Sequence, residues 1–246
     1  MKHKKLFVFL FAMIVCFVLY KTFSDDKIYY LSLGDNFAVG ATPYDTVEKS
    51  YADYFALYLK NQNLLKEYNN NFSELNYRTT DLIKDIKLNK ELKINNKRIS
   101  INESIAAADL ITISIGFNDL YSKVKYNKET FKLDNEMKLY LNTMYEDFEN
   151  LIILIRKITD VPLYFIGYYN PHNQNDGITD EMIEYLENKI KNQKNTSKIY
   201  YIDIKNGFKN NNYYIPKIDN PLPSLEGYNY IANEIITYFG KNFNKK

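Results

Sequence analysis

Four short, nearly unbroken apolar runs constrain this chain more than any other feature: Ile28–Leu33, Leu110–Ile115, Leu163–Tyr168 and Lys198–Ile204. A strand with one wet face alternates apolar and polar residues. A strand covered on both faces reads as a continuous apolar run, which is the pattern of a parallel sheet between helix layers. Helix-period stretches fall between the runs, at Tyr51–Lys60, Thr80–Leu88, a long one near Glu129–Lys157, Asp180–Asn192 and Gly227–Tyr238. In the long one, Met137, Leu141, Met144, Phe148, Leu151, Ile152 and Ile155 recur mostly at three- and four-residue steps. This alternation predicts an α/β three-layer sandwich with a mainly parallel sheet. Residues 27–246 read as one domain without internal repeats, and the Asn/Lys-rich pieces Tyr68–Asn71 and Lys209–Asn212 read as loops.

Ligands in such sheets gather at the carboxyl ends of the strands. Three polar signatures fall there: "GDN" (Gly34, Asp35, Asn36) after the first strand, "GFND" (Gly116 to Asp119) after the second, and "YYNPHN" at the end of the third. The charge balance, 32 basic against 30 acidic residues, supplies no field for nucleic acid. Only Arg78, Arg98 and Arg156 carry the guanidinium that reads phosphate in two-point fashion. The single cysteine, Cys16, rules out an internal disulfide or a CxxC metal site. Of the two histidines, His3 belongs to the basic N-terminal tail, so histidine chemistry in the domain has only His172 to draw on.

Residues 1–26 have the layout of a signal anchor or signal peptide: a basic head (Lys2, Lys4, Lys5), an apolar run over residues 6–20, then a polar exit. Fifteen helical residues span roughly 22 Å, short of the ~30 Å hydrocarbon core, and flanking lysines and aromatics can offset part of that deficit. Thr22 and Ser24 form only a weak cleavage site, which favours an uncleaved single-pass anchor over a secreted product. Charge at the head places the domain outside the cytoplasm.

"LSLGDNFAVG", "SIGFND" and "DNPLPSLEGYNYIA" occur in the order and spacing of the SGNH/GDSL hydrolases, which the chain resembles from Lys27 onward. The piece "GDNFAVG…PYD…SYADYFALYL" is similar to a bacterial branch of low-GC Gram-positive type. The resemblance implies a flavodoxin-like fold, cleavage of lipid or acylated-glycan esters, and no cofactor. It also implies roles for individual residues. Asn36 stands at the nucleophile position, Leu222 at the base position and Asp219 at the position of the acid that orients the base. Gly34, Asp35, Asn36, Gly116, Asn118 and Asp119 make up the oxyanion-hole and pocket set, in which the two acids serve the motif turns and Asn118 with the Asn36 backbone N–H furnishes oxyanion donors. The glycine of a further motif, the family's third oxyanion donor, should fall near Asn76–Arg78, where no glycine is found; Asn76 can still tolerate a positive φ.

Two of those positions carry the wrong chemistry. An amide cannot form an alkoxide, and leucine can neither take nor give a proton. Ser32, Ser114 and Ser224 are the nearby hydroxyls; the first two fit small buried sheet positions, and Ser224 fits a helix N-cap. His172 is the possible substitute base, against the plainer reading of a solvated loop residue. Asp35, Asp119, Asp219 and His172 are hard donors on paper, yet no metal site is expected from them. The expected function is therefore a membrane-anchored or secreted esterase-like protein, inactive as a hydrolase, with a pocket for acyl or glycan groups of the cell envelope. The competing reading is an active ester hydrolase with a non-standard nucleophile or base.

Overall fold

The computed structural model describes residues 27–124, 133–172, 177–193, 197–209, 211–217 and 219–243. Five parallel strands form the main sheet: β1 (Ile28–Gly34), β2 (Leu65–Asn69), β5 (Leu110–Ser114), β6 (Leu163–Ile166) and β7 (Ile199–Ile202). They lie in the order β2-β1-β5-β6-β7. Every residue of β1, β5 and β6 is buried, as the continuous apolar runs require. The outer pair, β3 (Glu91–Ile94) and β4 (Lys97–Ser100), is a separate antiparallel hairpin.

Nine helices cover the sheet among the described residues: α1 (Asn36–Val39), α2 (Tyr51–Asn61), α3 (Thr79–Leu88), α4 (Ile101–Ala107), α5 (Phe117–Val124), α6 (Asn135–Arg156), α7 (Gly177–Lys191), α8 (Lys205–Phe208) and α9 (Leu225–Phe243). Helices α2 and α9 pack on each other, while α6 packs on α3 and α7. The three-layer expectation holds. Its five main helices are present, and the segment 129–132 of the long one lies outside the described residues.

One element replaces part of an expected loop, and a hairpin appears where the sequence pattern predicted no element. Tyr68 and Asn69 belong to β2, an edge strand that pairs only with β1 and leaves Lys66 and Glu67 exposed. A strand wet along one side shows no apolar run. The β3–β4 hairpin turns on Asn95 and Asn96, at φ 48° and 64°. Those left-handed conformations suit asparagine and match the twist of a two-residue hairpin turn.

Counting only the main sheet, the strand order is that of flavodoxin-like folds, in which the connection reverses between β1 and β5. The loops leaving those two strands diverge to opposite sides and open a crevice between them. "GDN" and "GFND" occupy those two loops. No helix of the described residues is long and apolar enough to cross a membrane, and the apolar run at 6–20 lies outside them.

Candidate functional site

Gly34 ends β1 at φ 148°, with its α-hydrogen against β5; a Cβ there would lie 2.0 Å from the Ser114 carbonyl oxygen. The chain then turns into the single-turn helix α1. Asp35 caps it, its Oδ1 accepting the Phe37 N–H at 3.1 Å. Gly40 closes it in the left-handed conformation. Asn36 is thus the first residue of a buried turn gripped from both ends.

The turn is also held from across the molecule. Tyr228, from α9, donates its hydroxyl proton to the Ala41 carbonyl at 2.6 Å, with the Asn36 carbonyl at 3.2 Å. Phe37 stacks on Tyr169 with ring centroids 5.6 Å apart and meets Phe117 at 4.7 Å. Tyr228→Phe keeps the ring but leaves a buried carbonyl short of a donor. It is expected to lower unfolding free energy by about 1–3 kcal/mol in urea titration.

A second loop faces this turn. Asn76 adopts φ 62°, the left-handed conformation that the sequence allowed for it, and its backbone N–H donates to Asn36 Oδ1. Asn118 Nδ2 donates to the Tyr77 carbonyl at 2.9 Å. Asp119 Oδ2 accepts from the Thr79 N–H at 3.1 Å and from its hydroxyl at 3.3 Å. Lys90 ties the outer side of the loop to Glu74, Tyr77 and Asp85. Asn118 and Asp119 therefore fix the segment that presents Asn76. Gly116, at φ 93°, lets Tyr168 approach: a Cβ there would lie 2.5 Å from the tyrosine oxygen.

Between the two loops opens a cleft of about 420 Å³. It is lined by Asn36, Asn76, Arg78 and Asn118, by Phe117, Tyr121 and Ser122 of α5, and by Asp45, Asn220, Pro221 and Leu222. Asn36 and Leu222, 186 residues apart by subtraction of their numbers, thus share one cavity.

A model of the GDSL-like lipase/acylhydrolase family matches residues 18–235. The chain belongs to this GDSL family. Among solved structures, the lipase Lip_vut3 from a goat rumen metagenome is 21% identical at a TM-score of 0.67, with 86% of this chain and 97% of that one covered. The acetylxylan esterase Axe2 from Geobacillus stearothermophilus is 14% identical at 0.60, with 87% and 94% covered. A GDSL-like lipase from Parabacteroides merdae is 13% identical at 0.58, with 87% and 96% covered. At these identities the three establish the fold alone. No curated protein matches the chain.

In this GDSL-family chain, Gly34, Asp35, Gly116 and Asp119 shape and hold the turns behind the cleft without lining it, and neither His172 nor Asp219 is among the lining residues. His172 Nε2 is 3.2 Å from the Val124 carbonyl oxygen, and its backbone N–H donates to Asn170 Oδ1; it is not among the cleft-lining residues. Asp219 is exposed on the segment leading to Leu222 and is likewise absent from the lining. Leu222 packs its side chain against the hydrophobic core. Among the described residues no three His, Cys, Asp or Glu side chains gather as metal donors.

The serines fall as expected. Ser224 caps α9, its Oγ accepting the Gly227 N–H at 3.1 Å. Ser32 is buried with its Oγ 3.5 Å from the Tyr51 hydroxyl, and Ser114 is buried beneath Gly34.

Tyr169, Asn220 and Arg78 are site residues to which the motifs containing them assigned no role. The tyrosine stacks under Phe37 and donates its hydroxyl to the Pro221 carbonyl, which fixes the backbone beside Leu222. The signature "YYNPHN" thus contributes its second tyrosine, not its histidine. Asn220 Nδ2 reaches the Pro43 carbonyl at 3.3 Å and Asp45 Oδ1 at 3.4 Å, joining the two rims of the cleft. A polar side chain immediately before Pro-Leu was the available signal for Asn220; nothing in the pattern marked Arg78.

Proposed function

We propose that this chain is a non-catalytic member of the GDSL family whose cleft holds an acyl or glycan group of the cell envelope without cleaving it. The observation that carries the reading is the hydrogen bond from the Asn76 N–H to Asn36 Oδ1. By family resemblance that N–H stands at an oxyanion-donor position, and here it serves the carbonyl of the residue that should be the nucleophile. The amide supplies no attacking oxygen and engages a donor that would stabilise the transition state. Leu222 adds an apolar wall where a base would stand.

A cavity of this size falls in the range of small-molecule sites, and its amide-rich lining suits hydroxyl and carbonyl groups. Residues 6–20 would tether the domain on the outer side of the membrane, within reach of envelope glycans and lipids. The test is an ester assay on the full chain purified in mild detergent, with p-nitrophenyl acetate and butyrate. Wild type is expected to turn over neither substrate faster than Asn36→Ala does. Wild-type turnover that disappears in His172→Ala or Asn36→Ala overturns the reading.

A further inference from the structure

The three arginines of this lysine-rich chain have different fates. Arg98 pairs with Glu91 at 3.4 Å on the exposed hairpin. Arg156 donates to the carbonyls of Val161 at 2.9 Å and Thr159 at 3.3 Å, closing the loop after α6. Arg78 lines the cleft, and among the described residues its guanidinium makes no ion pair and no hydrogen bond. Two carboxylates compete nearby: Asp119 feels Arg78 but commits Oδ2 to the Thr79 N–H and hydroxyl, and Asp81 commits Oδ2 to the Arg78 backbone N–H. The one carboxylate lining the cleft, Asp45, approaches Asn220.

An arginine held in a ligand-sized cleft, with its fork unspent among the described residues, is a two-point receptor for a carboxylate or a phosphate. Around it stand the Asn36 and Asn118 side chains. Asn36 Nδ2 makes no hydrogen bond among the described residues, and Asn118 Nδ2 has a second proton beyond the one given to Tyr77. Such amides suit sugar hydroxyls, and Asp45 opposes a second negative charge near Asn220. A ligand with one anionic group for Arg78 and hydroxyls for the amides matches this lining.

Resting on the binding function proposed above, we propose that the cleft recognises an anionic saccharide, a sugar or polyol chain bearing a carboxylate or phosphate, with Arg78 as the residue that reads its charge. The experiment is calorimetric titration of the full chain in mild detergent with three probes: trigalacturonate, a glycerol phosphate oligomer and neutral xylotriose. At least one anionic probe is expected to bind about tenfold or more tightly than xylotriose, the scale of one charge-assisted hydrogen-bond pair. Arg78→Gln should bring that probe down to the xylotriose level, and Arg78→Lys should keep part of the difference, because it retains the charge without the fork. Preference for trigalacturonate identifies a carboxylate ligand, and preference for the oligomer a phosphate one.

Arg78 is exposed, so neither substitution should change the melting temperature. Equal affinity for all three probes, unchanged in Arg78→Gln, overturns charge recognition while leaving a binding module standing. Absence of binding by every probe also overturns it. Hydrolytic turnover by the wild type would instead defeat the non-catalytic reading, an outcome read in a separate assay.

Discussion

The double substitution Asn36→Ser/Leu222→His is expected to gain ester hydrolysis that neither single substitution shows. Serine at 36 removes the carbonyl that occupies the Asn76 N–H and supplies a hydroxyl at the start of α1. Histidine at 222 puts a base among the residues that line the same cleft. The surrounding machinery is already positioned: Asn118 is fixed by the Tyr77 carbonyl, and Asp119 and Lys90 hold the donor loop. Triad members act as a unit, and loss of either costs ~10⁴- to 10⁶-fold in the enzymes where this has been measured. A restored pair without evolutionary refinement should recover a part of that. On p-nitrophenyl acetate, kcat/KM of the double variant should exceed both single variants by ~10²-fold or more, with the gain strongly non-additive. Activity in Asn36→Ser alone, equal to that of the double variant, would mean that another base serves the cleft. Asp219→Ala in the double background then tests the orienting acid: the carboxylate is exposed and has no other partner among the described residues, so its removal should lower kcat with little change in KM.

The sequence pattern carried the interior of the fold and lost its rim. β1, β5 and β6 were legible because burial on both faces forces an unbroken apolar run. β2 was not, because an edge strand is half wet and its burial is supplied by Asn69, a polar residue satisfied through Tyr29 and Ser104. The β3–β4 hairpin did leave a signal, the Asn-Asn turn, but four-residue strands with exposed faces resemble a polar loop. At the site the same division appears. Motif spacing located Asn36, Asn118 and Leu222, since each follows a strand or precedes a helix at a fixed offset. It could not locate Tyr169 or Arg78, whose roles depend on which loops meet in space. His172 was a candidate because it is the domain's only histidine. Its backbone N–H is held by Asn170 and its ring lies beside the Val124 carbonyl, and it is not among the residues lining the cleft.

Asp35→Asn should abolish a fall in stability that the wild type shows between mildly acidic and neutral pH. The Asp35 carboxyl is fully buried, and burial raises it from 3.8 to about 7; the Phe37 N–H and the Ser114 hydroxyl only partly oppose that rise, and the charge of Asp119 adds to it. Its Oδ2 has no hydrogen-bond partner, so the ionised form is poorly solvated. Below pH 3.8 the carboxyl is protonated in both folded and unfolded chains and contributes no slope. Between 3.8 and about 7 the folded protein keeps a proton that the unfolded chain has released, so stability falls as pH rises, by about 1.4 kcal/mol per unit at most. Above about 7 both states are ionised and the loss is complete, on the order of 4 kcal/mol in the limit. Asparagine keeps the oxygen that caps α1 and never ionises. Its denaturation midpoint should therefore match that of the wild type near pH 4 and exceed it clearly at pH 8, while other titrating groups cancel in the difference between the two proteins. Parallel curves would show that the buried carboxylate finds solvation that the static turn does not provide. The expected divergence would show that the "GDN" turn bears a buried acid as a standing cost to stability, which makes it a position where asparagine should be tolerated once catalysis no longer constrains the motif.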